Sequence, residues 1–78
     1  MKAMKGNVMS LCEAVIGREY FVSEINTGDE ELNNFLFSLG CYKGESITVV
    51  SRRKSGMVIA IKDARYHIDS MLGAAIVV

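Results

Sequence analysis

The spacing of apolar positions changes several times along the chain, and each change marks an element. Over residues 19–25 apolar and polar side chains alternate, with Tyr20, Val22 and Glu24 on one side and Phe21, Ser23 and Ile25 on the other. Three β-favouring residues in succession make this a predicted strand. From Leu32 the spacing becomes i, i+3, i+4, i+7 through Phe35, Leu36 and Leu39, the single stripe of an amphipathic helix. Thr27 and Glu30 fit a capping box at its start, Asp29 and Glu31 put negative charge at the positive end of the helix dipole, and Gly40 supplies a left-handed stop. At 100° per residue, Phe37 projects roughly opposite the stripe. β-type segments then occupy residues 46–51, 57–62 and 65–68, separated by residues 52–56 and 63–64, which predicts a meander.

The two ends add less. Ser10 and Glu13 fit another capping box, so Leu11, Cys12, Ala14 and Val15 are expected to form one helical turn ending at Gly17. Asp69 or Ser70 can cap a single turn through Met71 and Leu72, and residues 75–78 return as a last short strand. Residues 1–8 show neither period and are read as a flexible leader, with the domain spanning 9–78. The expected fold is mainly β: five short strands, with one α-helix inserted between the first and second. That is too few strands for a sandwich of two full sheets and suits a small closed or partly open barrel with the helix across one end.

With 78 residues there is room for one domain and one core. A chain this short buries only about 60% of the surface it exposes when unfolded, so it needs its large apolar residues for its own stability. Half the residues are hydrophobic and none is proline, which excludes a disordered linker. Nine basic and nine acidic side chains cancel, so no global field draws the chain to nucleic acid or an anionic membrane. No apolar run approaches the roughly 20 residues that span a bilayer, and no secretory signal pattern is present, so a cytoplasmic location is the default expectation. Cys12 and Cys41 lack the pairing of a zinc or redox motif and read as small hydrophobes.

The series Leu11, Glu13, Ala14, Gly17, the stretch 20–25, then Leu32, Leu36, Leu39, Gly40, Gly44, Ile47, Val49, Val50, Gly56, Ile59, Ile61, Ile68, Leu72, Ile76 and Val78 resembles the FeoA family, ferrous iron transport protein A domains with an SH3-like barrel. The resemblance runs from about Met9 to the end. Its most specific parts are the helix closing on Leu39 and Gly40 with Gly44 four residues on, and the final pattern Ile68, Leu72, Ile76, Val78. The chain departs from the family pattern at Cys41, where leucine is common, at Lys43, where proline often sits, and at Gly73, where alanine is usual and a looser C-terminal turn is therefore expected. The resemblance implies a non-catalytic accessory protein that binds the cytoplasmic part of the ferrous iron transporter FeoB, reaching the membrane only through that partner. It also implies kinship with the SH3-like domain that closes metal-dependent repressors. A free-standing protein- or metal-binding regulatory module is the alternative reading.

Candidate chemistry is sparse. No GxxxxGK[ST] loop is present, and the single histidine, His67, lacks the setting of a catalytic base, so no enzyme is expected. His67 and Asp69 share a strand face, with Asp63 as a third carboxylate, but they do not make a closed ligand set, and no metal or cofactor is expected. Arg52, Arg53 and Lys54 cluster at a hairpin tip without interleaved aromatics, which argues against nucleic acid. An exposed phenyl ring forfeits about 2 kcal/mol of burial, so Phe37 calls for a cover: its own chain, a second copy in a homo-oligomer, or a partner. The expected docking patch is Phe37, Tyr42 and Lys43 at the end of the helix, with Arg52 and Arg53 as a second contact.

Overall fold

The computed structural model describes residues 9–78; the leader assigned to residues 1–8 lies outside the described residues. A 3₁₀ turn (Leu11–Glu13) is followed by β1 (Glu19–Phe21), β2 (Glu24–Ile25), α1 (Glu30–Ser38), β3 (Ser46–Arg52), β4 (Gly56–Ile61), β5 (Ala64–Asp69), α2 (Ser70–Ala75) and β6 (Ile76–Val77). The fold is mainly β and antiparallel with one main helix, as expected. No closed five-stranded barrel is seen among the described residues. The described strands make two open sheets, one of four in the order β1-β3-β4-β5 and one of two, β2-β6.

The difference arises at Val22. The expected first strand breaks there into β1 and β2. Val22 buries its side chain and exchanges backbone hydrogen bonds with the turn after α1, accepting from Gly44 N at 2.8 Å and donating to Glu45 O at 2.9 Å. Beyond it Ser23 N donates to Val77 O at 2.7 Å, so the chain has changed sheets within two residues. The alternation changes phase with it: Tyr20 is half-buried and Val22 buried, but beyond them Ile25 is half-buried and Glu24 exposed.

The core lies on one face of the meander. Ile47 and Val49 of β3, Met57, Ile59 and Ile61 of β4, and Ile68 of β5 are buried, closed over by Leu11, Ala14, Leu36 and Ile76. β4 is central, paired with β3 and, in unbroken register from Gly56↔Asp69 to Ile61↔Ala64, with β5. In β3 the register shifts between Val49 and Ser51, a bulge that bends the strand beside the N-terminal turn.

Both short turns are built from the expected caps. Ser10 and Glu13 form the capping box of the 3₁₀ turn, and Asp69 caps α2 by accepting from Leu72 N at 2.8 Å. The start of α1 differs: Asp29, not Thr27, is the cap, accepting from Glu31 N at 2.9 Å, while Thr27 Oγ1 accepts from Asp29 N at 3.0 Å. Asp29 lies one residue before the helix, and its charge acts directly on the first free N–H groups, which the Thr27–Glu30 box cannot do from further out.

Two further expectations are corrected by packing. Of the helical stripe, only Leu36 is buried; Leu39 is half-buried, whereas Leu32 and Phe35 are 38% and 47% exposed. The C-terminal half of α1 seats on the core and the N-terminal half stands clear. At Gly73 the turn is tight rather than loose: the glycine is buried, and a methyl group there would run into the end of the Met57 side chain.

Gly56 begins β4 with no room for a side chain, since an added Cβ would sit 2.5 Å from the carbonyl oxygen of Ile68 on the paired strand. Because that neighbour is backbone, no rotamer change relieves the clash. Gly56→Ala is expected to lower unfolding free energy by about 2–3 kcal/mol in urea titration, against about 1 kcal/mol or less for Gly28→Ala, whose φ is +74° but whose surroundings are open.

Candidate docking surfaces

The end of α1 is fixed by a Schellman motif. Gly40, at φ +93°, donates to Phe37 O at 3.0 Å, and Cys41 N donates to Leu36 O at 2.9 Å. Leu36 and Cys41, the pair such a motif brings into apolar contact, are both buried. A side chain at position 40 would also meet Ile61 Cγ2 at 3.3 Å and Lys62 Cε at 3.7 Å, so both conformation and space call for glycine. This stop turns the chain so that Tyr42 comes back beneath Phe37.

Phe37 and Tyr42 stack with ring centroids 4.8 Å apart, tilted by 36°. Phe37 stays 62% exposed, and Tyr42 is half-buried. Lys43, the next residue, is exposed. Three expected contact residues are therefore adjacent, with one aromatic face open to solvent. Lys62 is the member that sequence reasoning missed. Its ammonium lies 5.6 Å from the centre of the Tyr42 ring and 3.4 Å from a Glu45 carboxylate oxygen. Tyr42 first, and Glu45 next, hold its pKa above the ordinary lysine value.

Lys62 adopts φ +56° in the two-residue turn between β4 and β5, a conformation that costs a residue with a Cβ roughly 1–2 kcal/mol. Glycine or asparagine would be easier there. The lysine stem instead crosses Gly40 and places a cation against the aromatic pair. The one signal in the sequence was a lysine where a hairpin turn favours glycine or asparagine.

Arg52 and Arg53 are separated from this patch by the length of β3, roughly 20 Å at 3.3 Å per residue. They also differ from each other. Arg52 turns inward, its Nη1 donating to Leu11 O at 3.0 Å and to Ala14 O at 2.8 Å, and so holds the N-terminal turn on the sheet. Arg53 is exposed, with its backbone N–H donating to Gly56 O at 2.8 Å. His67 and Asp69 are exposed on β5, the Asp69 carboxylate already capping α2, and Asp63 is in the turn at the strand's other end. Among the described residues no three His, Cys, Asp or Glu side chains converge on a metal-sized site.

A pair of antiparallel sheets with one main helix, sharing a core built on a three-stranded meander, defines a small SH3-like β domain. The chain belongs to the FeoA family: the FeoA domain matches residues 9–78. The crystal structure of an iron uptake regulatory protein (FeoA) superimposes with a TM-score of 0.80 at 25% identity, covering 90% of this chain and 93% of that one. A manganese-dependent transcriptional repressor superimposes with a TM-score of 0.83 at 23% identity, covering 92% of this chain and 41% of the repressor. A manganese complex of such a repressor gives 0.82 at 21% identity, over 91% and 36%. The chain thus spans about two fifths of those repressors and shares their fold in that part. No curated protein sequence matches it.

The two arginines are expected to separate in stability. Arg52→Met leaves the Leu11 and Ala14 carbonyls without their charged donor and should cost about 1.5–3 kcal/mol in chemical unfolding, whereas Arg53→Ala should stay within about 0.5 kcal/mol of the parent. Burial pushes the Cys41 thiol from 9.0 up to about 11. The folded state therefore holds that proton more tightly than the unfolded one. Stability is fully present below pH 9 and falls as pH rises towards 11, and Cys41→Ala should flatten that part of the pH profile.

Proposed function

We propose that this chain is a non-catalytic accessory protein of ferrous iron uptake, which docks on the cytoplasmic part of a FeoB-type transporter and modulates it. Membership of the FeoA family supports the pathway, and the stacked Phe37–Tyr42 pair supports the mode of action. A domain this short gains from every ring it can bury, yet it leaves Phe37 mostly exposed and fixes it with Tyr42, Lys62 and the Schellman stop. Rigid, amphipathic rings of this kind are what protein interfaces use as anchors, because little side-chain freedom is lost on binding. Lys43 and Lys62 add positive charge at the rim, where it guides encounter and register more than it adds affinity. Arg53, just beyond the far end of β3, is a second rim contact, while Arg52 beside it in sequence is tied to the Leu11 and Ala14 carbonyls.

The repressor-like reading rests on shared fold alone, and fold does not carry function with it. It requires a metal or a regulator as ligand, whereas the docking reading requires a protein surface.

Calorimetric titration of the full chain into the cytoplasmic GTP-binding region of the transporter tests the proposal. The parent should bind saturably without nucleotide turnover of its own. Phe37→Ala should weaken binding at least tenfold, about 1.4 kcal/mol or more, with an unchanged melting temperature. Binding unaffected by that substitution would remove the patch from the proposal, and absence of binding by the parent would remove the transporter.

A further inference from the structure

Between the first turn of α1 and α2 runs an open groove of about 330 Å³. Leu72, Ala74 and Ala75 line it together with Leu32 and Met71, and Asp69 is the charged member of the lining. Met71 is 82% exposed, and Leu32 and Phe35 are the two members of the helical stripe that the core leaves out. Leu32 and Met71 thus present exposed apolar surface to the groove. Its volume sits at the lower end of the ~300–1,000 Å³ of small-molecule pockets, and it is a trough rather than an enclosure. That shape suits side chains presented on another backbone. Ala74 and Ala75 let such a backbone come close, and the unbranched Met71 can adapt to what it meets.

The charges choose the occupant. Asp69 belongs to the lining, and Asp29 caps α1 two residues beyond Thr27, another lining residue. Glu30 and Glu31 follow it, exposed. Among the described residues no lysine, arginine or histidine lines the groove. Arg53 and Lys54 occupy the loop joined to the neighbouring Ser70 through its hydrogen bond to Ser55 O at 3.2 Å, but neither forms an ion pair with Asp69. A second copy seated on this groove by two-fold symmetry would set carboxylates against carboxylates.

We infer that the groove receives a short cationic segment of a partner protein, with two or three apolar side chains flanked by lysine or arginine. The apolar residues fill the trough, and the cations meet Asp69 in its lining and the acidic first turn of α1, which carries the lining residue Leu32. This surface is separate from the Phe37 patch, so the two can hold one partner at two points. That the segment belongs to the transporter rests on the reading above; short cytoplasmic loops of membrane proteins are rich in lysine and arginine.

The test is an NMR titration of the ¹⁵N-labelled full chain with a synthetic amphipathic leucine–lysine peptide of about 14 residues, and with its leucine–glutamate counterpart. The lysine peptide should bind saturably and at least tenfold more tightly, with the largest shifts at Leu32, Met71, Leu72 and Ala75. Met71→Ser, at an exposed position that does not support the core, should weaken it about fivefold or more, and Glu30→Gln with Glu31→Gln about threefold, while Phe37→Ala leaves it unchanged. Equal affinity for the two peptides, shifts centred on Phe37 and Tyr42, or no saturation would overturn the inference. So would contacts between the groove and residues 1–8 of the unliganded chain, whose Met1, Lys2, Met4 and Lys5 have matching chemistry, or a concentration-dependent dimer that buries the groove. The peptide result is independent of transporter binding, so the two proposals fail separately.

Discussion

One face of β4 bears the whole structure. Met57, Ile59 and Ile61 point from it into a core shared with β3, β5, the N-terminal turn and α1, and no other described strand contributes as many buried hydrophobic side chains. A domain of this size has little apolar area to spare, so each element holds only as far as it reaches that face. α1 reaches it through Leu36, the N-terminal turn through Leu11 and Ala14, and the C-terminal strand through Ile76. What does not reach it is left at the surface, and those residues are the ones available for recognition.

The exposed apolar residues fall in different places for different reasons. Phe37 is outside because the stripe faces the other way; Tyr42, Lys62 and the turn at Gly40 then make its exposure rigid. Leu32 and Phe35 are outside because the Schellman motif pins only the C-terminal end of α1 to the core. The first case produces a fixed aromatic platform with cations beside it; in the second, Leu32 lines a trough that also carries Asp69. Opposite local charges on a chain with no net charge allow two contacts of different character within one small protein.

Arg52 and Lys62 show how the fold can position a cation. One holds the N-terminal turn through two carbonyl oxygens, and the other accepts a left-handed backbone to reach Tyr42 and Glu45. In the sequence Arg52 is indistinguishable from Arg53, its neighbour in a basic run. Strand alternation sends adjacent side chains to opposite faces, but which face meets the N-terminal turn depends on the bulge after Val49.

The amino-acid sequence by itself determined the elements whose causes are local: the meander, the helix with its glycine stop, the capping box at Ser10 and the outward direction of Phe37. Each follows from side-chain period or from hydrogen bonds spanning a few residues. Family membership was legible for the same reason, since the matching positions are the glycines and core residues those elements need. The tertiary structure alone decided the split of the first strand at Val22, the partial burial of the helical stripe, the close packing at Gly73 and the meeting of Lys62 with Tyr42. These depend on contacts between segments far apart in the chain, where shape and available space choose among arrangements that the local pattern permits equally.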